Sequence, residues 1–208
     1  MSTHKHEPSA IARLYSPSAT QPEIVDVPAM NFLMVDGRAD PNHSELYKDA
    51  IETLYALSYT LKYTIKDREK VDYQVSLLEG LWWSDAAESF LYVSRDAWRW
   101  TLMVRQPTVV TSLCVEQAIE DVRRKKTLAA LSGVRLETLH EGVSAQILHI
   151  GASATAASTV RKLHEFIDTQ GGVFEGRVQK HHEIYLGDPR RAALEKPMTV
   201  IRQPFMHT

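Results

Sequence analysis

Two stretches of the chain follow the same predicted order of elements, and this internal repeat limits the possible folds more than any other feature. Each stretch predicts a strand, a helix and two further strands. The last strand of each ends on the same tripeptide, Arg105-Gln106-Pro107 in the first and Arg202-Gln203-Pro204 in the second. A shared tripeptide is weak evidence alone, but its recurrence at the same place in two matching series favours a duplication. The sequence therefore predicts an α+β protein of two pseudo-symmetric strand-helix-strand-strand repeats, whose antiparallel sheets form a ligand cleft.

The predicted boundaries make the 208 residues a single domain, a length that suits one large domain or two small ones. A polar lead with four prolines covers residues 1–28 and is expected to lie over the body or to fray. The first repeat spans 31–111, a bridging helical segment spans 112–140, and the second repeat spans 141–206.

Hydrophobic periodicity predicts the individual elements. Ser44 is a candidate N-cap for a long amphipathic helix, 67–70 is expected to be a charged loop, and a helix from Cys114 to about Leu131 joins the repeats. The predicted strands and helices of the two repeats are 31–37, 44–65, 73–83 and 98–105 in the first, and 144–151, 156–170, 181–186 and 198–202 in the second.

Composition restricts the partners. The formal charge is −2 and the pI is near 6.5, which argues against a nucleic-acid partner, since a duplex usually binds a basic face. The single cysteine, Cys114, excludes an internal disulfide and a cysteine-based zinc cluster, and its apolar surroundings favour a buried structural role. No apolar run reaches the length of a membrane span, and residues 1–10 show no signal-peptide core. A cytoplasmic protein with no membrane partner is expected.

The hexapeptide from His181 to Leu186 is the most informative short segment. Strand alternation places His181, Glu183 and Tyr185 on one face, and places His182 with two apolar residues on the opposite, core-facing side. A carboxylate and a phenol two residues apart on a strand lie roughly 6–7 Å apart, enough for a water or a polar ligand group between them. The alternative interpretation is a solvent-exposed sheet face without a function.

Other kinds of site find little support. The two adjacent histidines face opposite ways and cannot share an ion. His181 and Glu183 could share one, but no third ligand has recognisable spacing, so neither a metal nor a cofactor is predicted. The sequence also lacks a nucleotide-binding glycine loop and a serine nucleophile elbow.

All four tryptophans fall in the first repeat, at positions 82, 83, 98 and 100. Trp98 and Trp100 share a strand face, whereas Trp82 and Trp83 face opposite ways, so that one of the latter two is expected in the core. If the halves are duplicates, 79–82 corresponds to 182–185 and Trp82 takes the position of Tyr185. This alignment predicts a cleft with an aromatic wall on one side and an acid on the other.

These segments resemble GyrI-like small-molecule-binding domain proteins over about residues 20–205. The resembling segments are MNFLMVDG at 30–37 with DPN at 40–42, LEGLWW at 78–83, WTLMVRQP at 100–107, HEIYLGDPRR at 182–191 and IRQP at 201–204. The resemblance implies paired strand-helix-strand-strand repeats, as in the ligand domains of multidrug sensors. It also implies a stand-alone protein, because no helix-turn-helix precedes residue 30.

The resemblance further implies an activity. Similar members hydrolyse cyclopropane-bearing DNA alkylators of the yatakemycin and duocarmycin type, which protects the cell and confers antibiotic resistance. In this sequence it assigns Glu183 and Tyr185 as catalytic residues, and Trp82, Trp83 and Trp100 as substrate-binding residues. Two alternatives stay open: non-catalytic binding of flat hydrophobic molecules, and modulation of a topoisomerase through a protein contact. The expected partner is a hydrophobic small molecule, and the sequence does not define the oligomeric state.

Overall fold

In a computed structural model, residues 9–85, 92–187 and 197–207 are described. Residues 188–191, at the end of the HEIYLGDPRR segment, lie outside these residues. The helices are α1 (Ser9–Arg13), α2 (Glu45–Glu69), α3 (Ser112–Arg123) and α4 (Ala157–Thr169). The strands are β1 (Glu23–Val27), β2 (Met30–Arg38), β3 (Leu78–Ser84), β4 (Trp98–Gln106), β5 (Arg135–Leu139), β6 (Gly142–Ile150), β7 (Gly172–Val173), β8 (His181–Tyr185), β9 (Met198–Pro204) and β10 (Met206–His207).

Eight strands form one antiparallel sheet in the order β1-β6-β9-β8-β3-β4-β2-β5, while β7 and β10 pair separately. The duplicated α+β architecture is confirmed by this order: the third strand of each half lies between the other two, as β2-β4-β3 and β6-β9-β8. The two predicted sheets are joined, because β3 and β8 pair with each other at the centre, where Gly80 lies opposite Glu183.

The long helix α2 begins as predicted, since the Ser44 side chain accepts a hydrogen bond from the backbone N–H of Tyr47 at 3.2 Å. It continues past its predicted end to Glu69, so residues 67–69 are helical and not a loop. Lys70 then adopts a left-handed conformation (φ 56°) that ends the helix. Arginine, glutamate and lysine are good helix formers, so a charged run alone does not mark a helix end.

Two hydrophobic cores lie on the helix-covered side of the sheet. The larger packs α2 and α3 against β2, β3 and β4, and the smaller packs α4 against β6 and β9. Between them lie the central strands β3 and β8. The sheet therefore carries one helix-covered core on either side of its centre.

The lead and the bridging segment differ from their predictions. Residues 23–27 form the edge strand β1 against β6, and Leu14 and Val27 are buried in a third core on the back of the sheet. The helix predicted to reach Leu131 ends at Arg123, and β5 follows and pairs with β2. Each edge strand has five residues, two of them charged, and neither shows the strict apolar–polar alternation that predicts a half-buried strand.

Candidate active site

The predicted pair Glu183 and Tyr185 lies on the helix-covered side of the sheet, at its centre. Glu183 stands opposite Gly80 on β3 and Ile201 on β9. Ile201 belongs to the core under α4, while Trp82, two residues from Gly80, belongs to the core under α2. The pair thus occupies the boundary between the two cores, and only 16% of the Glu183 side chain is exposed.

Among the described residues, two side chains approach the Glu183 carboxylate, one at each oxygen. The Tyr185 hydroxyl donates a hydrogen bond to Oε2 at 2.9 Å, and Nε2 of His181 lies 3.5 Å from Oε1. Burial by itself raises the pKa of Glu183, but His181 and the Tyr185 hydroxyl outweigh it and hold that pKa below its usual value. Glu183 is therefore a buried carboxylate that stays ionised at neutral pH.

The tyrosines around this carboxylate stay protonated. Burial, followed by the charge of Glu183, raises the pKa of Tyr185 well above its usual value. The pKa of Tyr47, which α2 brings to the same place, is raised for the same two reasons in the same order. Both phenols can therefore act as hydrogen-bond donors. Tyr47 was not predicted as a site residue, because the helical pattern shows only that it extends the apolar face of α2.

Aromatic rings form the wall on the α2 side. The Tyr47 ring lies 6.1 Å from Trp82 and meets Trp100 edge-on at 5.2 Å, and Trp98 meets Trp82 edge-on at 5.6 Å. Trp82 and Trp100 are buried, whereas Tyr47 and Trp98 are partly exposed. Tyr47 and Trp98 therefore present the outer surface of this wall, with Trp82 and Trp100 beneath.

Glycines allow the rings to lie this close to the sheet. A Cβ on Gly37 would come within 2.1 Å of the Trp100 ring, and one on Gly80 would come within 2.9 Å of Trp82 Nε1 and 3.4 Å of the Tyr185 hydroxyl. Gly80 is thus part of the site, although nothing in the sequence singled it out. Only the register that places it beside Glu183 reveals the role.

The structure does not bring Trp83 together with the other predicted residues. Its side chain is on the back of the sheet, in contact with the third core, and the Lys180 ammonium lies 3.8 Å from its ring centre. Strand parity is the reason, since neighbours on β3 face opposite sides. Of the predicted site residues, the structure places Glu183, Tyr185, Trp82 and Trp100 on one side and Trp83 on the other.

The sequence did not predict an ionic network that lies on the back of the sheet, on the opposite face of β8 from the pair. His182 lies between two acids, with Nε2 3.0 Å from Glu79 and Nδ1 2.9 Å from Glu141. Arg202 contacts Glu141 at 3.0 Å, and the Tyr15 hydroxyl donates to Glu79 at 2.9 Å. Burial lowers the pKa of His182, but Glu141 and Glu79 outweigh it and raise that pKa to about 9. The face of β8 that carries His182 was expected to be an apolar core. It is buried, but charged side chains pair with one another there.

A carboxylate and phenols set among aromatic rings, between two helix-covered halves, are groups of the kind that line small-molecule sites. The chain belongs to the GyrI-like family, since the model of the GyrI-like small molecule binding domain matches residues 20–204.

Solved structures of similar proteins share this fold. An uncharacterized conserved protein from Listeria innocua is 41% identical over 94% of this chain and 96% of its own, with a TM-score of 0.84. A hydrolase from Listeria innocua is 40% identical over 95% of this chain and 98% of its own, with a TM-score of 0.82. The C-terminal domain of EcmrR, 10% identical over 90% of this chain and 98% of its own with a TM-score of 0.54, shares the fold. A comparison with curated proteins finds no match.

The described helices include none that is both long and apolar enough to cross a membrane.

Proposed function

We propose that this chain hydrolyses flat, hydrophobic DNA alkylators that carry an electrophilic cyclopropane, of the yatakemycin and duocarmycin type, and so detoxifies them. The observation that carries the proposal is the Glu183 carboxylate, ionised and mostly buried, hydrogen-bonded to Tyr185 and set beside a wall of aromatic rings. The resemblance of the sequence to cyclopropanoid hydrolases supports it, and so does the 40% identity to proteins described as hydrolases.

Opening of the cyclopropane ring requires few groups from the protein. A cyclopropane conjugated to a carbonyl is strained and electrophilic, so a correctly placed water is the main requirement. Glu183 accepts a proton from this water while the water oxygen bonds to the ring carbon. The carbon–carbon bond breaks, its electrons move to the carbonyl oxygen, and that oxygen takes up a proton from solvent to give a phenol. Glu183 then releases its proton to solvent and is ready for the next water. General-base help of this kind typically contributes about 10²–10⁴-fold to the rate.

The remaining groups hold and orient the reactants. Tyr185 donates to Oε2 of Glu183, which leaves the other lone pairs of the carboxylate for the water. The Tyr47 and Trp98 rings offer flat apolar surface for a planar ligand, since aromatic rings favour stacked or edge-on neighbours. Aromatic contact provides binding, and the carboxylate provides the reaction.

A stoichiometry measurement distinguishes hydrolysis from sequestration. The protein is incubated with a tenfold excess of a cyclopropanoid alkylator, and the ring-opened product is followed by chromatography. More than one equivalent of product per protein, above the rate in buffer, is the expected result. Binding that saturates at one equivalent without accelerated product would refute hydrolysis and leave a sequestering protein.

A further inference from the structure

His181 lies next to Glu183 on the same face of β8. The two side chains are two residues apart, and Nε2 of His181 lies 3.5 Å from Oε1 of Glu183. Only 2% of His181 is exposed, compared with 16% of Glu183. Glu183 is therefore the more exposed member of the pair, and His181 lies beside it in the protein interior.

Two effects limit a mostly buried carboxylate that has to act as a base. Burial favours its protonated form, which cannot take a proton from water, and a carboxylate held at one oxygen can rotate away from the productive orientation. The Tyr185 hydroxyl addresses only Oε2. A donor at Oε1 resolves both difficulties, because two donors on the two oxygens favour the ionised form and fix its plane.

We propose that His181 is a positioning residue for Glu183, whose Nε2–H holds Oε1 while the Tyr185 hydroxyl holds Oε2. The proposal rests on the proposed function, since it assigns a role within the same site. The separation of 3.5 Å is that of an ionic neighbour and exceeds a short hydrogen bond. Contacts of this kind in unliganded sites commonly tighten when the ligand binds.

The ionisable groups around His181 fit this role. Glu183 is its partner on β8, and His164 approaches from α4. Burial, followed by the neighbouring His181, lowers the pKa of His164 to about 4, so His164 is uncharged at neutral pH. Beyond Glu183 lie the phenols of Tyr185 and Tyr47, and His149 from β6.

A matched set of variants tests the proposal. In His181→Gln the side-chain amide can reach the place of Nε2 and donate to Glu183, whereas the shorter amide of His181→Asn reaches only the place of Nδ1. His181→Phe removes all hydrogen bonding at similar size. His140→Gln, at an exposed histidine outside the site, is the control.

The first measurement needs no substrate. The Glu183 carboxyl is titrated by ¹³C NMR in the full-length protein, with Glu183→Gln used to assign the signal. Its pKa is expected to rise in His181→Asn and His181→Phe and to return toward the parent value in His181→Gln. An unchanged Glu183 titration in His181→Asn overturns the proposal, and the Asn and Gln variants decide the question even if His181→Phe does not fold.

The second measurement uses turnover. The kcat of His181→Asn is expected to fall roughly 10- to 100-fold with little change in KM, and the acid limb of its pH profile is expected to move to higher pH. His181→Gln is expected to recover most of the loss. If the parent protein shows no hydrolysis while the Glu183 titration still shifts, the proposed function fails and the role of His181 stands.

Discussion

Burial alone would raise the pKa of Glu183, but its immediate neighbours lower that pKa below its usual value. Strand alternation was sufficient to place Glu183 and Tyr185 on one face, because parity depends only on sequence spacing. The other members of the site were not predictable in this way. Tyr47 arrives from a helix more than 100 residues away, and Gly80 matters because β3 pairs with β8 in one particular register.

Gly80 gives a first test at the scale of the residue. In Gly80→Ala the new methyl would lie 2.9 Å from Trp82 Nε1, so the Trp82 ring must shift, and 3.4 Å from the Tyr185 hydroxyl, which is ordinary contact. Overpacking of this kind costs about 1–3 kcal/mol of unfolding free energy. We also expect weaker binding of a planar ligand, measured by fluorescence titration.

The control for this change is Gly133→Ala, because nothing lies within 4 Å of a Cβ at that position. Denaturant unfolding should show a change within about 0.5 kcal/mol for Gly133→Ala. Equal stability and equal ligand affinity for Gly80→Ala and the parent would show that Gly80 is not part of the site.

At the scale of the element, strand β8 carries different groups on its two faces. Its helix-side residues form the candidate site, and His182 on its other face joins a buried network with Glu79, Glu141 and Arg202. Helix α2 was predictable because its apolar period persists over many turns. The network was not, since Glu141 and Arg202 come from a turn and a strand whose placement only the fold defines.

The network makes stability depend on pH in a defined direction. The pKa of His182 is raised from 6.5 to about 9, so its contribution is complete below pH 6.5 and is lost as the pH rises through 9. Burial alone raises the pKa of Glu141, but His182 and Arg202 lower it from 4.5 to about 2, so its contribution is present above pH 4.5 and is lost as the pH falls through 2. The stabilisation is therefore greatest between pH 4.5 and 6.5.

Denaturant unfolding as a function of pH measures this effect. The unfolding free energy of the parent should decrease between pH 6.5 and 9, and this decrease should be smaller in His182→Gln, which cannot carry the charge. Removal of one member of a buried ionic cluster should also destabilise the protein by about 3–5 kcal/mol. An identical pH dependence in parent and variant would contradict a charged His182.

At the scale of the whole molecule, the duplication creates the site. Within each half, the second strand (β3 or β8) has one edge without a partner. These two edges pair with each other. The boundary between the two helix-covered cores therefore lies at the centre of the sheet. The repeated tripeptide and the matching element order made the halves predictable. Their union in one sheet was not, because sequence patterns define strands but not which strand edges meet.

The two sides of this sheet should respond differently to a ligand. Trp82 and Trp98 lie on the helix-covered side with Tyr47, whereas Trp83 lies on the back. A planar aromatic ligand should quench tryptophan fluorescence saturably, and Trp83→Phe should retain most of the quenching. Trp82→Phe should lose a large part of it. Greater loss in Trp83→Phe than in Trp82→Phe would place the ligand on the wrong side for this account.

The central claim is that Glu183 is the base in cyclopropanoid hydrolysis. Its most direct test is the rate of this hydrolysis by Glu183→Gln, which keeps the size of the side chain but removes its charge. Turnover should fall by about 10²–10⁴-fold while ligand binding persists, and Tyr185→Phe should cost less, since it removes only the hydroxyl that holds the carboxylate. Glu165→Gln, at an exposed position on α4, should match the parent. Hydrolysis by Glu183→Gln at the parent rate would contradict the account, even if the cleft binds the ligand as predicted.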